Sequence, residues 1–186
     1  MSWKKLSSRR VFDNPWLTVF EDHVVNPGGG ENQYGWVHFK NHAVAVVPID
    51  DDDHTWLVGQ DRYTLGEYSW EVPMGGSPVG EDLEASARRE LQEETGLSAG
   101  RLRQIMKVHT SNSITDESGF VFVATELRQG EASPEETEDL RVRRLPLADA
   151  LAMVLDGEIT DAISCVALLR IAALDRSHSE RLAVTT

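Results

Sequence analysis

The order of apolar patterns along the chain predicts a mixed α/β domain in which a sheet lies between helices. Strand-like segments precede one strong helical repeat, further strand-like segments follow it, and two helices with apolar faces come last. Strands on both sides of a central helix are typical of an α/β/α sandwich built on a mixed sheet. The 186 residues contain no linker-like tract and no solenoid repeat, so one main domain is expected.

Each element has its own local signal. The central helix is predicted over 81–95, because Leu83, Ala87 and Leu91 recur every four residues and Gly96 supplies a stop. Runs rich in β-branched and aromatic residues, bounded by turn residues, predict strands at 17–25, 33–39, 43–49, 55–58, 103–108, 120–125 and 140–145. Apolar faces predict the last two helices at 147–155 and 161–174.

Three parts of the chain follow from this pattern. Residues 1–40 are expected to form an antiparallel strand extension that dimerises, 41–176 the main domain, and 177–186 a loosely held tail.

Composition limits the partners. The formal net charge is −13, with 31 acidic against 18 basic residues, which argues against binding to long nucleic acid or an anionic membrane. A small phosphorylated substrate is still compatible, because a bound metal ion neutralises its charge locally. No apolar run resembles a signal peptide or membrane span, so a cytoplasmic location is expected. The single cysteine, Cys165, is interpreted as a small core residue and not as a nucleophile.

Residues 75–97, GGSPVGEDLEASARRELQEETGL, carry the strongest chemical signal. On a helix, Glu90, Glu93 and Glu94 converge on one face. Carboxylates at such short distances repel one another. A hard divalent cation such as Mg²⁺ or Mn²⁺ relieves that repulsion through oxygen ligands. Arg89 is placed to hold one carboxylate ionised and oriented.

A solvated acidic helix face is the simpler alternative for the glutamates alone. The whole pattern is harder to dismiss: Gly, five residues, Glu, seven residues, Arg-Glu, an aliphatic, any residue, Glu-Glu, any residue, Gly, and another aliphatic. From average residue usage, a chance match has a probability on the order of 10⁻⁷.

The segment resembles the Nudix box, a loop-helix-loop that binds the metal ions used to hydrolyse a nucleoside diphosphate linked to another group. The resemblance implies that Glu90 and Glu94 are principal metal ligands and that the backbone carbonyl of Met74 is another. Glu93 is implied as a further ligand or a water-orienting group. The other box positions are Arg89, expected to assist catalysis, and three expected to be structural, namely Gly75, Glu81 and Gly96.

The segment before the box resembles that of ADP-ribose and nucleotide-sugar pyrophosphatases, in which a Gln-x-Arg strand end precedes a Glu-x-Pro-x-Gly turn. The matching residues are Gln60, Arg62, Glu71, Pro73 and Gly75. Gln60 and Arg62 are implied as substrate-binding residues, with the Arg62 guanidinium suited to a diphosphate. An exposed strand-end arginine without a ligand is the alternative.

The acidic segment SPEETEDL resembles the loop that supplies a catalytic glutamate in the same enzymes. By position, Glu136 is implied as the general base that deprotonates the attacking water, with Glu138 a metal ligand and Glu135 a competing candidate for the base. A solvated loop is the alternative. Residues 111–117 lack the proline of a Ser-Pro-Gly turn found in many ADP-ribose enzymes, which favours a broader nucleoside diphosphate sugar specificity.

Tyr34 and Trp36 share one face of a predicted strand. The resemblance places them where related enzymes bring substrate contacts from a second subunit, so stacking on a base or sugar is implied, together with a homodimer. Ordinary dimer or core packing of an aromatic stripe is the alternative.

The sequence therefore predicts a metal-dependent hydrolase that cleaves a nucleoside diphosphate sugar, of the ADP-ribose kind, to a nucleoside monophosphate and a sugar phosphate. Two alternatives stay open: a hydrolase of nucleoside triphosphates or dinucleoside polyphosphates, and a sensor that binds a nucleotide sugar without cleaving it.

Overall fold

A computed structural model describes residues 2–132 and 140–183, with side chains as far as Leu174. This part of the chain forms three helices and ten strands: β1 Lys4–Asp13, β2 Leu17–Val25, β3 Glu31–Phe39, β4 Asn41–Pro48, β5 His54–Arg62, β6 Glu67–Glu71, β7 Met74–Pro78, α1 Leu83–Thr95, β8 Leu97–Val108, β9 Gly119–Gln129, β10 Arg141–Pro146, α2 Leu147–Leu155 and α3 Ala162–Ala183.

The central sheet has the strand order β7-β4-β9-β8. Strand β4 runs parallel to β9 and antiparallel to β7, and β8 runs antiparallel to β9. This is the mixed sheet that the sequence predicts. A second sheet with the order β10-β5-β6 is antiparallel throughout.

Strand β4 shows why helices cover both faces of the central sheet. Its side chains point alternately to opposite faces: Val44 and Val46 pack with Leu91 of α1, whereas Ala45 and Val47 pack in a separate cluster with α2 and α3. These four of the eight residues of β4 are fully buried. The predicted α/β/α sandwich is confirmed, and the central strand is apolar on both faces because each face is covered.

Helix α1 begins later than predicted. Asp82 is its N-cap, with an extended backbone and a carboxylate that accepts the Glu84 N–H at 3.1 Å, so the helix starts at Leu83 and Glu81 precedes it. Gly96 ends the helix in the left-handed conformation with φ of 73°, as predicted. Ala87 and Leu91 are fully buried, which confirms the predicted apolar face.

The N-terminal strands β1, β2 and β3 form a separate antiparallel sheet. The antiparallel extension was predicted, but strand β1 was not. Its sequence, KKLSSRRVFD, is exposed throughout and does not alternate between apolar and polar residues. Backbone pairing to β2 holds the strand in place, although it has no buried face.

Two further strands escaped the sequence analysis. Strand β6 is only five residues long, and β7 contains two glycines and a proline, residues that normally interrupt strands. Both are held by antiparallel pairing, β6 to β5 and β7 to β4. Helix α3 continues to Ala183, beyond the predicted end at 174. Within the described residues, no helix is long and apolar enough to cross a membrane.

Candidate active site

Arg89 contacts two glutamates of the box and the neighbouring strand β7. Its Nη1 donates to Glu90 at 2.8 Å and to Glu93 at 3.1 Å, and its Nη2 donates to the carbonyl of Gly76 in β7 at 2.9 Å. Burial lowers the pKa of Arg89, but the charges of Glu90 and Glu93 outweigh burial and hold it above its ordinary value. Arg89 therefore joins two of the predicted metal-site carboxylates and ties their helix to β7.

Glu94 lies deeper than its neighbours, with only 3% of its surface exposed. Its Oε2 accepts a hydrogen bond from the Met74 N–H at 2.9 Å. Because Met74 is the first residue of β7, this contact brings two predicted metal ligands together, the Glu94 carboxylate and the Met74 backbone.

Gly75 is required by space. A Cβ placed on it would lie 2.1 Å from Oε2 of Glu90, so any larger residue would push that carboxylate away. The spacing of the box therefore reflects a close approach of β7 to α1.

The donor atoms suit a hard divalent cation, since they are carboxylate oxygens and one backbone carbonyl. Among the described residues, however, no three acidic, histidine or cysteine side chains are grouped so that they could hold a metal ion. Glu90 and Glu93 are directed to Arg89, and Glu94 to Met74. The donor set fits a metal in its chemistry, and the open space beside it is a cavity lined by Glu90 and Glu93.

A cavity of about 360 Å³ opens beside these groups. Two of its lining residues lie outside residues 75–97 and were not identified from the sequence: Trp16, which is 68% exposed, and Asn41 at the start of β4. No spacing rule marks either residue. The cavity is lined by Trp16, Asn41, Gly75, Gly76, Pro78, Arg89, Glu90 and Glu93.

A larger cavity of about 710 Å³ lies elsewhere, between α2, α3, the turn after β4 and the middle of β8 and β9. Its lining is mainly apolar and includes none of the predicted site residues. The candidate site is therefore identified by the chemistry of the box residues and not by the size of the cavity.

The guanidinium of Arg62 is paired with the carboxylate of Glu71. Its Nε donates to Glu71 at 2.8 Å and its Nη2 donates to the other oxygen of the same carboxylate. The hydrogen bond to Glu71 raises the pKa of Arg62, and the charges of Asp161 and Glu94 act in the same direction. Arg62 therefore lies in the electrostatic field of the box, at the end of the strand that also carries the half-buried Gln60.

Tyr34 and Trp36 lie outside the cavity beside the box. The Trp36 ring stacks on Phe20 with centroids 4.9 Å apart, and its Nε1 donates to Asp22 at 3.0 Å. Tyr34 donates its hydroxyl hydrogen to the carbonyl of Ser113. Within one chain, the aromatic stripe thus packs the N-terminal sheet against the segment 111–117.

That segment is the one that lacks the Ser-Pro-Gly turn. It is fastened to β3: the Val37 N–H donates to the Ile114 carbonyl at 2.9 Å, and Asp116 accepts from the Phe39 N–H at 3.0 Å. The departure in sequence therefore coincides with a loop that is hydrogen-bonded to the N-terminal sheet.

Three predicted residues of the acidic loop, namely Glu135, Glu136 and Glu138, lie outside the described residues. Cys165 is half-buried in α3, and its thiol contacts the Ile159 carbonyl. Burial raises the pKa of this thiol, which agrees with its interpretation as a packing residue.

Comparison with known proteins agrees with these features. Residues 40–163 match the NUDIX domain model, and residues 3–37 match the model of the nucleoside diphosphate sugar hydrolase N-terminal domain. An ADP-ribose pyrophosphatase of Mycobacterium tuberculosis is 36% identical, over 96% of this chain and 87% of that protein.

An ADP-ribose pyrophosphatase of Bacillus subtilis is 33% identical, over 89% of this chain and 90% of its own length. The crystal structure of an ADP compounds hydrolase superposes with a TM-score of 0.85 at 24% identity, over 96% of each chain. The latter similarity shows the fold.

Substitution of Gly75 by alanine tests the close approach of β7 to Glu90. Only the end of a flexible side chain has to move, so we expect a nearly unchanged melting temperature. A carboxylate displaced by about 1 Å can cost about 100-fold in turnover, and we expect a loss of that order on a nucleotide-sugar substrate. Gly35→Ala is the matched control, because nothing lies within 4 Å of a Cβ there. Near-normal turnover of Gly75→Ala would show that the position of Glu90 is unimportant.

Proposed function

The chain belongs to the Nudix family of hydrolases, and from this premise we propose that it cleaves the diphosphate of a nucleoside diphosphate sugar of the ADP-ribose kind. The products are a nucleoside monophosphate and a sugar phosphate. The observation that carries the proposal is the gathering of Arg89, Glu90 and Glu93 around one cavity, with Glu94 beside Met74. Relatives named ADP-ribose pyrophosphatase, matched over most of their length, support the substrate class.

The metal ion is Mg²⁺ or Mn²⁺ in this proposal. Glu90, Glu94, the Met74 carbonyl and Glu138 would hold it, and all of them offer the oxygen ligands that these ions prefer. When bound, the ion supplies positive charge that neutralises the diphosphate oxygens.

Arg89 and Glu93 prepare the site for this chemistry. Arg89 donates to both Glu90 and Glu93 and so orients both carboxylates in a partly buried setting; Glu90 is only 12% exposed. Glu93, with about a third of its side chain exposed, is the member of the cluster with access to water. It suits the role of orienting the attacking water.

Glu136 acts as the general base in this scheme. It takes one proton from water, the water oxygen bonds to phosphorus, and the bond from phosphorus to the bridging oxygen breaks. The second phosphate leaves with the sugar. Glu135 is the competing base.

Several residues would bind the substrate. Arg62 lies close enough to the box to feel the charge of Glu94, so its guanidinium suits a diphosphate once it shares its donors with Glu71. Gln60 of the same strand is the second candidate. The exposed indole of Trp16 at the cavity offers a flat surface for a base or sugar.

A homodimer is part of the proposal. The outer strand β1 is exposed along its whole length, and Val11 and Phe12 each expose more than half of their surface. An exposed edge strand with apolar side chains is a surface that natural proteins usually cover. In the proposed dimer, Tyr34 and Trp36 contact the partner's substrate. The expected cytoplasmic location stays a prediction.

The two alternatives differ in what they predict. A triphosphate or dinucleoside polyphosphate hydrolase would use the same box on another substrate. A sensor would bind without cleavage, but all four box glutamates are present, and Glu90, Glu93 and Glu94 lie beside β7 or the cavity.

A panel of substrates tests the proposed reaction. We expect ADP-ribose or a related nucleoside diphosphate sugar to give a nucleoside monophosphate and a sugar phosphate, with Mg²⁺ or Mn²⁺ required and chelator abolishing turnover. Chromatography identifies the products, with ATP and a dinucleoside tetraphosphate in the same panel. Release of pyrophosphate from triphosphates alone would defeat the proposal, and tight binding without any product would favour the sensor.

A pair of neighbouring variants tests the base. Glu136→Gln should lower kcat by about 10²- to 10⁴-fold, since a positioned general base contributes rate enhancements of that order. Glu135→Gln, one residue away and with the same loss of charge, should remain near wild type. If Glu135→Gln shows the larger loss in kcat, the assignment of Glu136 is wrong.

A further inference from the structure

Residues 71–74 join β6 to β7, and we call them the strap. At its end towards the site, the Pro73 carbonyl accepts the Val46 N–H of β4 at 2.8 Å, and the Met74 N–H donates to Glu94 at 2.9 Å. The strap therefore sets the position of Met74 relative to both the central sheet and α1.

The other end of the strap is held by two different elements. Glu71, only 3% exposed, accepts hydrogen bonds from the guanidinium of Arg62 in β5. The N–H of Val72 donates to Oγ of Ser164, in the first turn of α3, at 3.1 Å. Both Val72 and Ser164 have no exposed surface, so no solvent water is available to replace this bond.

Ser164 is itself fixed in place. Its own N–H donates to Oδ2 of Asp161, just before α3, at 2.7 Å, as at a capped helix start. The side chain is thus anchored through the beginning of α3 while its oxygen receives the strap. Nothing in the spacing of the box points to a residue so distant in sequence.

We propose that Ser164 is a positioning residue for the metal site. It acts through Val72 and the strap on two of the proposed ligands, the Met74 carbonyl and the Glu94 carboxylate. The inference rests on the proposed function, because it takes that ligand set as its premise.

The strap is short and stiff enough to transmit such an effect. Only Pro73 separates Val72 from Met74, and the proline ring fixes its φ angle. A shift at Val72 is therefore passed to the Met74 N–H, and with it to the Glu94 carboxylate that this N–H holds. Groups that hydrogen-bond directly to metal ligands typically change metal affinity by 10- to 100-fold when removed. Ser164 acts one step further from the ligands, so an effect at the lower end of this range is expected.

The test measures Mn²⁺ binding without substrate, from the electron paramagnetic resonance signal of free Mn²⁺. Ser164→Ala removes the acceptor and is expected to raise the Kd for Mn²⁺ by about 10-fold. Cys165→Ala is the matched control, since it truncates the next residue of the same helix and has no bond to the strap. Its Kd should equal that of wild type.

A second variant guards against a folding failure of Ser164→Ala. Ser164→Cys keeps nearly the same volume with a weaker acceptor, and its Kd is expected between those of wild type and Ser164→Ala. Thermal melting followed by circular dichroism reports stability separately. A lowered melting temperature with wild-type Mn²⁺ affinity in the folded variants would overturn the positioning role and leave Ser164 as a purely structural hydrogen-bond partner.

Glu94→Gln separates this inference from the proposed function. It keeps an oxygen for the Met74 N–H but loses the charge, so Mn²⁺ binding should be largely lost. If Glu94→Gln loses Mn²⁺ while Ser164→Ala and Ser164→Cys bind it as wild type does, the metal site stands and the inference fails. If wild type binds no Mn²⁺, or Glu94→Gln binds it normally, the proposed ligand set fails and the inference fails with it.

Discussion

Repulsion among carboxylates on one face of α1 is the constraint that the other groups of the site have to offset. Glu90, Glu93 and Glu94 lie within about one turn of α1, where like charges disfavour one another's ionised forms. The structure supplies a donor to each: Arg89 serves Glu90 and Glu93, and the backbone of Met74 serves Glu94. Each of the three carboxylates therefore has a donor that offsets part of this repulsion.

These donors work only if β7 and α1 keep their relative position, and apolar packing fixes it. Leu91 and Ala87 of α1 are buried with Val44 and Val46 of β4, while β7 pairs directly with β4. Strand β4 therefore positions both α1, which carries the carboxylates, and β7, which lies opposite them. The geometry of the proposed metal site therefore depends on buried apolar residues that are not themselves among the proposed ligands.

The parts of the fold with their own local signal were predictable from the sequence. The periodicity of Leu83, Ala87 and Leu91 and the stop at Gly96 located α1 to within two residues, and the apolar run at 43–49 predicted the strand β4. Strands β1 and β7 were not predictable in the same way. Their sequences are charged or rich in glycine, and strand pairing determines their conformation: β1 pairs with the next strand, β2, and β7 pairs with β4, which lies much earlier in the chain.

The candidate site divides in a similar manner. Gly75, Arg89 and the glutamates follow from a spacing that the helix converts directly into proximity, whereas Trp16 and Asn41 reach the cavity only through the tertiary fold. The engagement of Arg62 by Glu71 was also not foreseen. Both residues had been matched to the flanking motif, but sequence similarity does not reveal that a buried carboxylate already occupies the guanidinium.

Anomalous X-ray scattering locates Mn²⁺ directly in crystals grown with the ion. We expect an anomalous peak within about 2 to 2.5 Å of carboxylate oxygens of Glu90 and Glu94 and of the Met74 carbonyl. A peak elsewhere, with Glu90 still bonded to Arg89 and Glu94 still bonded to the Met74 N–H, would contradict it.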